Sequence, residues 1–274
     1  MIFPDPCRVA ELIRATARDE IMPRFGKLGR GEVREKKPGD PVTVADTAAE
    51  ARLARELVAL SPGSVAVGEE AADADPRRVD ALAGEAPVWL LDPLDGTSNF
   101  VQGIPCFAVM VAYCRSGDVA AAWIHDPVSG SIVSAVAGGG AWRDHRQLRL
   151  PAPPALGEQR GSMNRRLRLA FAGRRRTNPK AIPEVLERHG CVGHEYMDLG
   201  SGQLHFAQYG GRLKPWDHAG GYLIHREAGG FAALASDGRS YRPGDGIFAG
   251  DLLLAPDAES WHALRRLIVE IGAE

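Results

Sequence analysis

The chain has 274 residues, enough for one large domain or two modest ones with an ample core. Hydrophobic residues make up 45% and charged residues 25%, the balance of an ordinary globular protein rather than of a disordered or fibrous chain. A net charge of −2 excludes a global field drawing the chain to nucleic acid or membrane, and no apolar run approaches the length of a membrane span.

The stretch MIFPDPCRVAELIR lacks the basic-then-apolar pattern of a signal peptide, so a cytoplasmic protein is expected. Asp5-Pro6 predicts a helix start, with an acidic cap and proline at the first helical position. Val9, Leu12, Ile13, Ala17 and Ile21 follow at helical spacing, and Pro23 and Gly26 stop the helix. Residues 27–41 are polar, basic and glycine-bearing, the composition of a loop or hairpin. A second helix is predicted with Asp46 as its N-cap and Ala49, Leu53, Leu57 and Leu60 as its apolar stripe. The short strand Val65–Val67 stops at Gly68-Glu69-Glu70, and the acids beyond it, Asp73 and Asp75, read as a solvated loop.

Trp89 to Phe107, WLLDPLDGTSNFVQGIPCF, is the most informative stretch. Val88 to Leu91 is an apolar run of the buried-strand kind, and Pro93 prevents a regular ladder from continuing past Asp92. Asp95-Gly96 supplies a tight turn, and Thr97-Ser98 can start a helical turn. The two carboxylates would repel unless a cation or proton lies between them, and hard oxygen ligands of this kind suit Mg²⁺. An EF-hand loop alternates its acids as D-x-D-x-D-G, whereas here they are three apart. Phosphatases with an aspartyl nucleophile carry D-x-D-G-T, one residue shorter between the acids.

Strands are predicted at Phe107–Tyr113, Val119–Ile124 and Ser131–Val136, and Gly138-Gly139-Gly140 reads as a turn without a nucleotide-loop context. Pro151, Pro153 and Pro154 mark the best boundary, dividing the chain into residues 1–150 and 151–274. Arg165, Arg166, Arg168 and Arg174 to Arg176 form a basic cluster ahead of a predicted helix at Ile182–His189. A solvated face is the favoured reading of that cluster, because nucleic-acid binding would want interleaved aromatics. Trp216-Asp217-His218 opens a further helix that Gly229-Gly230 ends, strands are predicted at Phe231–Ala235 and Asp251–Ala255, and a helix spans Asp257 to Ile271. Cys106 and Cys114 fall on one predicted strand, too far apart to bridge, and the four cysteines are expected as free thiols.

Asp46, Glu69, Glu70, Asp92, Asp95 and Asp217 each end a strand or start a helix, and such ends converge on one cleft in a layered α/β protein. The strings DPVTVAD (Asp40 to Asp46), GEE (Gly68 to Glu70), WLLDPLDGTSNF (Trp89 to Phe100) and KPWDHAGG with a trailing EAGG (Lys214 to Gly221, Glu227 to Gly230) resemble the inositol monophosphatase family of metal-dependent sugar phosphatases. The resemblance covers nearly the whole chain and is weakest between Pro151 and Tyr209.

The resemblance implies a layered α-β-α-β-α fold of two closely packed subdomains, the first carrying most metal ligands, and a homodimer. It implies Mg²⁺-dependent hydrolysis of a small phosphorylated metabolite by metal-activated water, with two to three ions. Carried over residue by residue, Glu69, Asp92 and the Leu94 carbonyl hold a first ion, and Asp92, Asp95 and Asp217 hold a second. A third ion sits near Glu69. Thr97 and Asp46 handle the proton of the attacking water, Glu70 supports the catalytic site without binding metal directly, and Gly96 and Thr97 N–H groups hold the phosphate.

On the substrate side, inositol-selective relatives begin a helix with small residues, where this chain has Gly193-His194-Glu195-Tyr196, and no acid lies between Leu199 and Trp216. A different pocket is therefore expected, built from His194, Glu195 and Tyr209, with an arginine of Arg174 to Arg176 reaching a second anionic group. The alternative is a regulatory or interaction protein that keeps the fold and has lost turnover; no nucleic-acid or membrane partner is expected.

Overall fold

The computed structural model describes residues 4–272. Helix α1 (Pro6–Thr16) starts as predicted: Asp5 caps it by accepting the Cys7 N–H, and it runs on as a π-helical turn to Ile21. The polar stretch forms the hairpin β1 (Val33–Lys37) and β2 (Asp40–Thr43), which leads into α2 (Val44–Leu60). Strand β3 (Val65–Gly68), helix α3 (Glu69–Ala74), β4 (Val88–Asp95) and the short α4 (Thr97–Val101) follow. A meander completes the first sheet: β5 (Ala108–Arg115), β6 (Asp118–His125), β7 (Ile132–Val136), β8 (Gly140–Arg143) and β9 (Arg146–Leu148). Beyond it come β10 (Arg160–Ser162), α5 (Arg165–Arg175), β11 (Glu184–Leu186), α6 (Val192–Ser201) and β12 (Phe206–Leu213). The chain closes with α7 (Pro215–Glu227), β13 (Phe231–Leu234), β14 (Phe248–Ala255) and α8 (Ala258–Gly272).

One seven-stranded sheet runs β3 to β9 in sequence order, and a five-stranded sheet is ordered β11-β10-β12-β14-β13. Side chains alternate across a strand, so a strand buried on both faces reads as an unbroken apolar run. In β4 and β5, Trp89, Leu91, Val109 and Val111 face α1 and α2, packing on Ile13, Ala49, Leu53 and Leu57. Their neighbours Val88, Leu90, Met110 and Ala112 face the opposite way, into a core shared with Tyr196 and Leu199 of α6 and Ala219, Leu223 and Ile224 of α7. That core also takes Leu252 and Leu254 of β14, whose alternates Leu253 and Ala255 pack on Phe171 of α5 and on Trp261 and Leu264 of α8. The layers are thus α1/α2, first sheet, α6/α7, second sheet, α5/α8, the α-β-α-β-α arrangement expected from the sequence.

Several local expectations are corrected. Residues 182–189 contain no helix; β11 pairs there in parallel with β10. Pro183 disfavours helical backbone at Ile182 and offers no N–H of its own. The helix lies earlier, at α5, where the basic cluster falls: Asn164 caps it by accepting the Leu167 N–H at 3.0 Å, and Leu167 and Phe171 are its buried stripe. Asp73 belongs to α3 rather than to a solvated loop and pairs with Lys36 at 3.0 Å. Asp46 is not the cap of α2: Thr43 is, and Asp46, three residues on, closes a capping box by accepting the Thr43 N–H at 2.8 Å. Cys106 lies ahead of β5, not on it.

Candidate active site

The site begins with an irregularity in β4. Pairing with β5 is regular from Val88 to Asp92, slips, and resumes at Asp95 opposite Ala108. Pro93, with no N–H to donate, sits in the slip, which leaves both carboxylates at one strand end. Beside it the parallel strand β3 ends with Gly68 opposite Leu91, bringing Glu69 next to Asp92. Helix α7 opens with Pro215 and carries Asp217 in its first turn; its cap position is Lys214, which makes no side-chain cap. One carboxylate oxygen from each of Glu69, Asp92 and Asp217 lies within 4.8 Å of the other two.

Three acids so close are electrostatically unfavourable. Burial raises the Asp92 carboxyl well above the usual carboxylate range, and Glu69, Asp95 and Asp217 push it further. Asp217 is raised by burial and by Glu69, with Lys214 opposing. Two ammonium groups compensate in part: Lys214 Nζ lies 2.8 Å from Glu69 Oε1, and Lys36 Nζ lies 3.1 Å from both Glu69 and Glu70. Burial alone would lower the Lys36 ammonium, but Glu69, Asp73 and Glu70 hold it above its ordinary range. Burial also pushes Glu70 up to about 7. A donor set of carboxylate oxygens alone, with its charge incompletely balanced, fits a hard divalent cation.

Thr97 and Asp46 meet across the cleft floor. The Thr97 hydroxyl reaches Asp46 Oδ1 at 3.0 Å and the Leu94 carbonyl at 2.8 Å, while Asp46 Oδ2 accepts from Thr43. Burial raises the Asp46 carboxyl against the pull of those hydrogen bonds. Gly96 between them has φ +87°, and a Cβ there would meet the Cys106 carbonyl at 2.9 Å, so both backbone shape and space demand glycine.

Sequence reasoning missed Glu50. It is buried one turn beyond Asp46 and accepts the N–H groups of Glu70 and Ala71 at 2.8 and 2.9 Å, fixing the turn that presents Glu69. Its signal was present: two acids at i, i+4 on the face of α2 that otherwise carries its apolar stripe. Lys36 was also passed over, as part of a basic hairpin.

Asp95 stands apart from the three-acid cluster. Its Oδ2 accepts the Cys191 thiol at 2.8 Å and the Gly193 N–H at 2.6 Å. The cleft, about 180 Å³, is lined by Lys36, Asp40, Asp92, Asp95, Thr97 and Asp217 among others. The expected substrate-side residues do not line it. Glu195 is buried with its Oε2 accepting the Ser162 hydroxyl at 2.8 Å, Tyr209 is buried beneath the Arg188 guanidinium, and His194 Nε2 lies 3.2 Å from the Phe107 carbonyl. Arg174 and Arg175 are engaged elsewhere, with Glu270 and with backbone carbonyls that include Gly157. Glu195 and Tyr196 at the α6 start pack inward, where α6 lies between the two sheets.

Fold and site define a layered α/β protein with a buried carboxylate cluster suited to a hard divalent cation. The model of the inositol monophosphatase family matches residues 7–269, and the chain belongs to that family. It is 32% identical to an inositol-1-monophosphatase of Rhizobium meliloti over 249 residues, covering 89% of this chain and 88% of that protein. It is 28% identical to a Nus factor SuhB of Xylella fastidiosa, covering 94% of this chain and 92% of that protein. The structure of an IMPase from Thermotoga maritima superposes with a TM-score of 0.77 at 25% identity, over 97% of this chain and 98% of that one.

Proposed function

We propose that the chain is a Mg²⁺-dependent phosphomonoesterase acting on a small phosphorylated metabolite, and that it works in the cytoplasm as a homodimer. The convergence of Glu69, Asp92 and Asp217 carries this reading. Those acids, with Asp95 and the Leu94 carbonyl, would hold two to three Mg²⁺ ions. Bound there, such ions would supply positive charge to offset that of a phosphate ester.

The chain's own residues supply the rest. The Thr97 hydroxyl lies within hydrogen-bond reach of both Asp46 and the Leu94 carbonyl; with its single proton donated to Asp46 Oδ1, its oxygen lone pairs can accept a hydrogen bond from a water in the cleft. The buried Asp46 carboxyl holds the Thr97 hydroxyl in that orientation. The Gly96 and Thr97 N–H groups, at the start of α4 and lining the cleft, would hold the phosphate. Glu50 and Glu70 act through Glu69, by fixing its turn and sharing Lys36.

A second reading is favoured by the relatives named Nus factor SuhB: a regulatory protein on this fold with little turnover. Phosphate release across a panel of sugar, inositol, histidinol and nucleotide phosphates, with and without Mg²⁺, decides between them. Mg²⁺-dependent release abolished by chelator supports the hydrolase, and no release from any member rejects it.

A further inference from the structure

The fold brings together three side chains that the phosphatase chemistry leaves unused. Cys106 comes from the segment between α4 and β5, Cys191 immediately precedes α6, and His194 lies in the first turn of α6. One ligand atom from each lies within 4.8 Å of the other two. Gly96 allows this approach, since a Cβ there would crowd both the Cys106 carbonyl and the Cys191 Cβ. The remaining cysteines, exposed Cys7 and buried Cys114, belong to no such group among the described residues.

We propose that Cys106, Cys191 and His194 form a site for a thiophilic divalent ion of the Zn²⁺ class, with Asp95 as its fourth ligand. Two thiolates and an imidazole select a borderline-soft ion and are poor ligands for Mg²⁺. Tetrahedral zinc places such ligand atoms about 3.5–3.8 Å apart, so the observed grouping has to close by little more than about 1 Å. Asp95 Oδ2 already lies 2.8 Å from the Cys191 sulfur. His194 Nε2 lies 3.2 Å from the Phe107 carbonyl; with an N–H donated there, Nδ1 would be the atom to bind the ion, the usual arrangement of a metal-bound histidine. Cys106 is part-exposed and offers the ion a way in. Loading releases the two thiol protons to solvent. It also draws Asp95 toward the soft ion and away from the hard-ion cluster, a consequence that rests on the phosphatase reading above.

The test uses the full chain, reduced and freed of metal, titrated with Co²⁺ in excess Mg²⁺. A sulfur-to-cobalt charge-transfer band saturating at a single equivalent, displaced by Zn²⁺ and lost in Cys106→Ser, is expected. His194→Gln should weaken it. No sulfur band, or an equally strong one in Cys106→Ser with unchanged circular dichroism, overturns the site. In the activity arm, the Zn²⁺ concentration that halves phosphate release should rise by about tenfold or more in Cys106→Ser. The rate without Zn²⁺ should stay within about twofold of the parent, well under one tenfold step. Equal Zn²⁺ sensitivity overturns the coupling through Asp95. If no phosphate ester is hydrolysed, the phosphatase reading fails while the optical titration still decides the metal site.

Discussion

Two buried regions of the molecule handle polar groups in opposite ways. At the ends of β3 and β4 and the start of α7, Glu69, Asp92 and Asp217 are held close together although burial and mutual repulsion disfavour their charge. At α6 and β12, Glu195 is also buried, but it faces the Ser162 hydroxyl and sits near Arg188. The first arrangement stores unfavourable electrostatics that a cation would relieve; in the second, Ser162 and Arg188 offset part of the cost of burying a single carboxyl. An acid cluster that the fold maintains against its own stability is the stronger mark of function.

The largest test breaks the first region. Asp92→Asn should lower Mg²⁺-supported phosphate release by about 10³-fold or more, about 4 kcal/mol. It should also raise the Tm in chelator, because the amide removes a charge disfavoured by burial and by Glu69, Asp95 and Asp217. Activity within a few-fold of the parent would sink the metal assignment.

The far end of α7 sharpens the contrast through pH. Burial lowers His225 from 6.5 to about 4, against the pull of backbone hydrogen bonds that include Nε2 to the Ala255 carbonyl at 2.9 Å. The folded state therefore binds fewer protons than the unfolded one between those values. The stabilisation is complete above pH ~6.5, declines as pH falls toward ~4, and amounts to about 3 kcal/mol. The raised carboxyls of Asp46 and Glu195 act in the opposite sense, losing stability as pH rises, so the measurement is a difference. Urea unfolding at near-neutral and mildly acidic pH should show a shallower acid loss in His225→Phe than in the parent. Equal slopes would reject the assignment.

Thr97→Ala should lower kcat by about 10²-fold with KM nearly unchanged, since it handles the proton and not the substrate. Asp46→Asn should do the same, and the double variant should be little worse than either. Fully multiplicative losses would show the two acting independently. On the substrate side, kcat/KM for inositol 1-phosphate is expected to fall below that of the best panel member. Inositol 1-phosphate leading by about tenfold, about 1.4 kcal/mol, would overturn that expectation. The smallest effect is Thr43→Ala, which loses the cap of α2 for about 1 kcal/mol of stability. Thermal melts should register it, whereas a loss of kcat as large as that of Thr97→Ala would make Thr43 part of the proton path.

The sequence by itself determined the buried strands and the acid-bearing element ends, and its family resemblance implied the layers. Continuous apolar runs in β4 and β5 meant strands buried on both faces, and Pro93 between two aspartates meant a broken ladder. These are local properties, set by side-chain period and backbone chemistry within a few residues. Tertiary structure alone decided which distant groups meet: Lys36 and Lys214 on Glu69, Glu50 behind Glu70, and Cys106 with Cys191. It also turned Glu195 and Tyr209 inward. Spacing along the chain carries no information about which helix face a second sheet will cover, and α6 is covered on both sides. The polar residues at its start must therefore find partners within the protein, and only the packed layers define which ones are there.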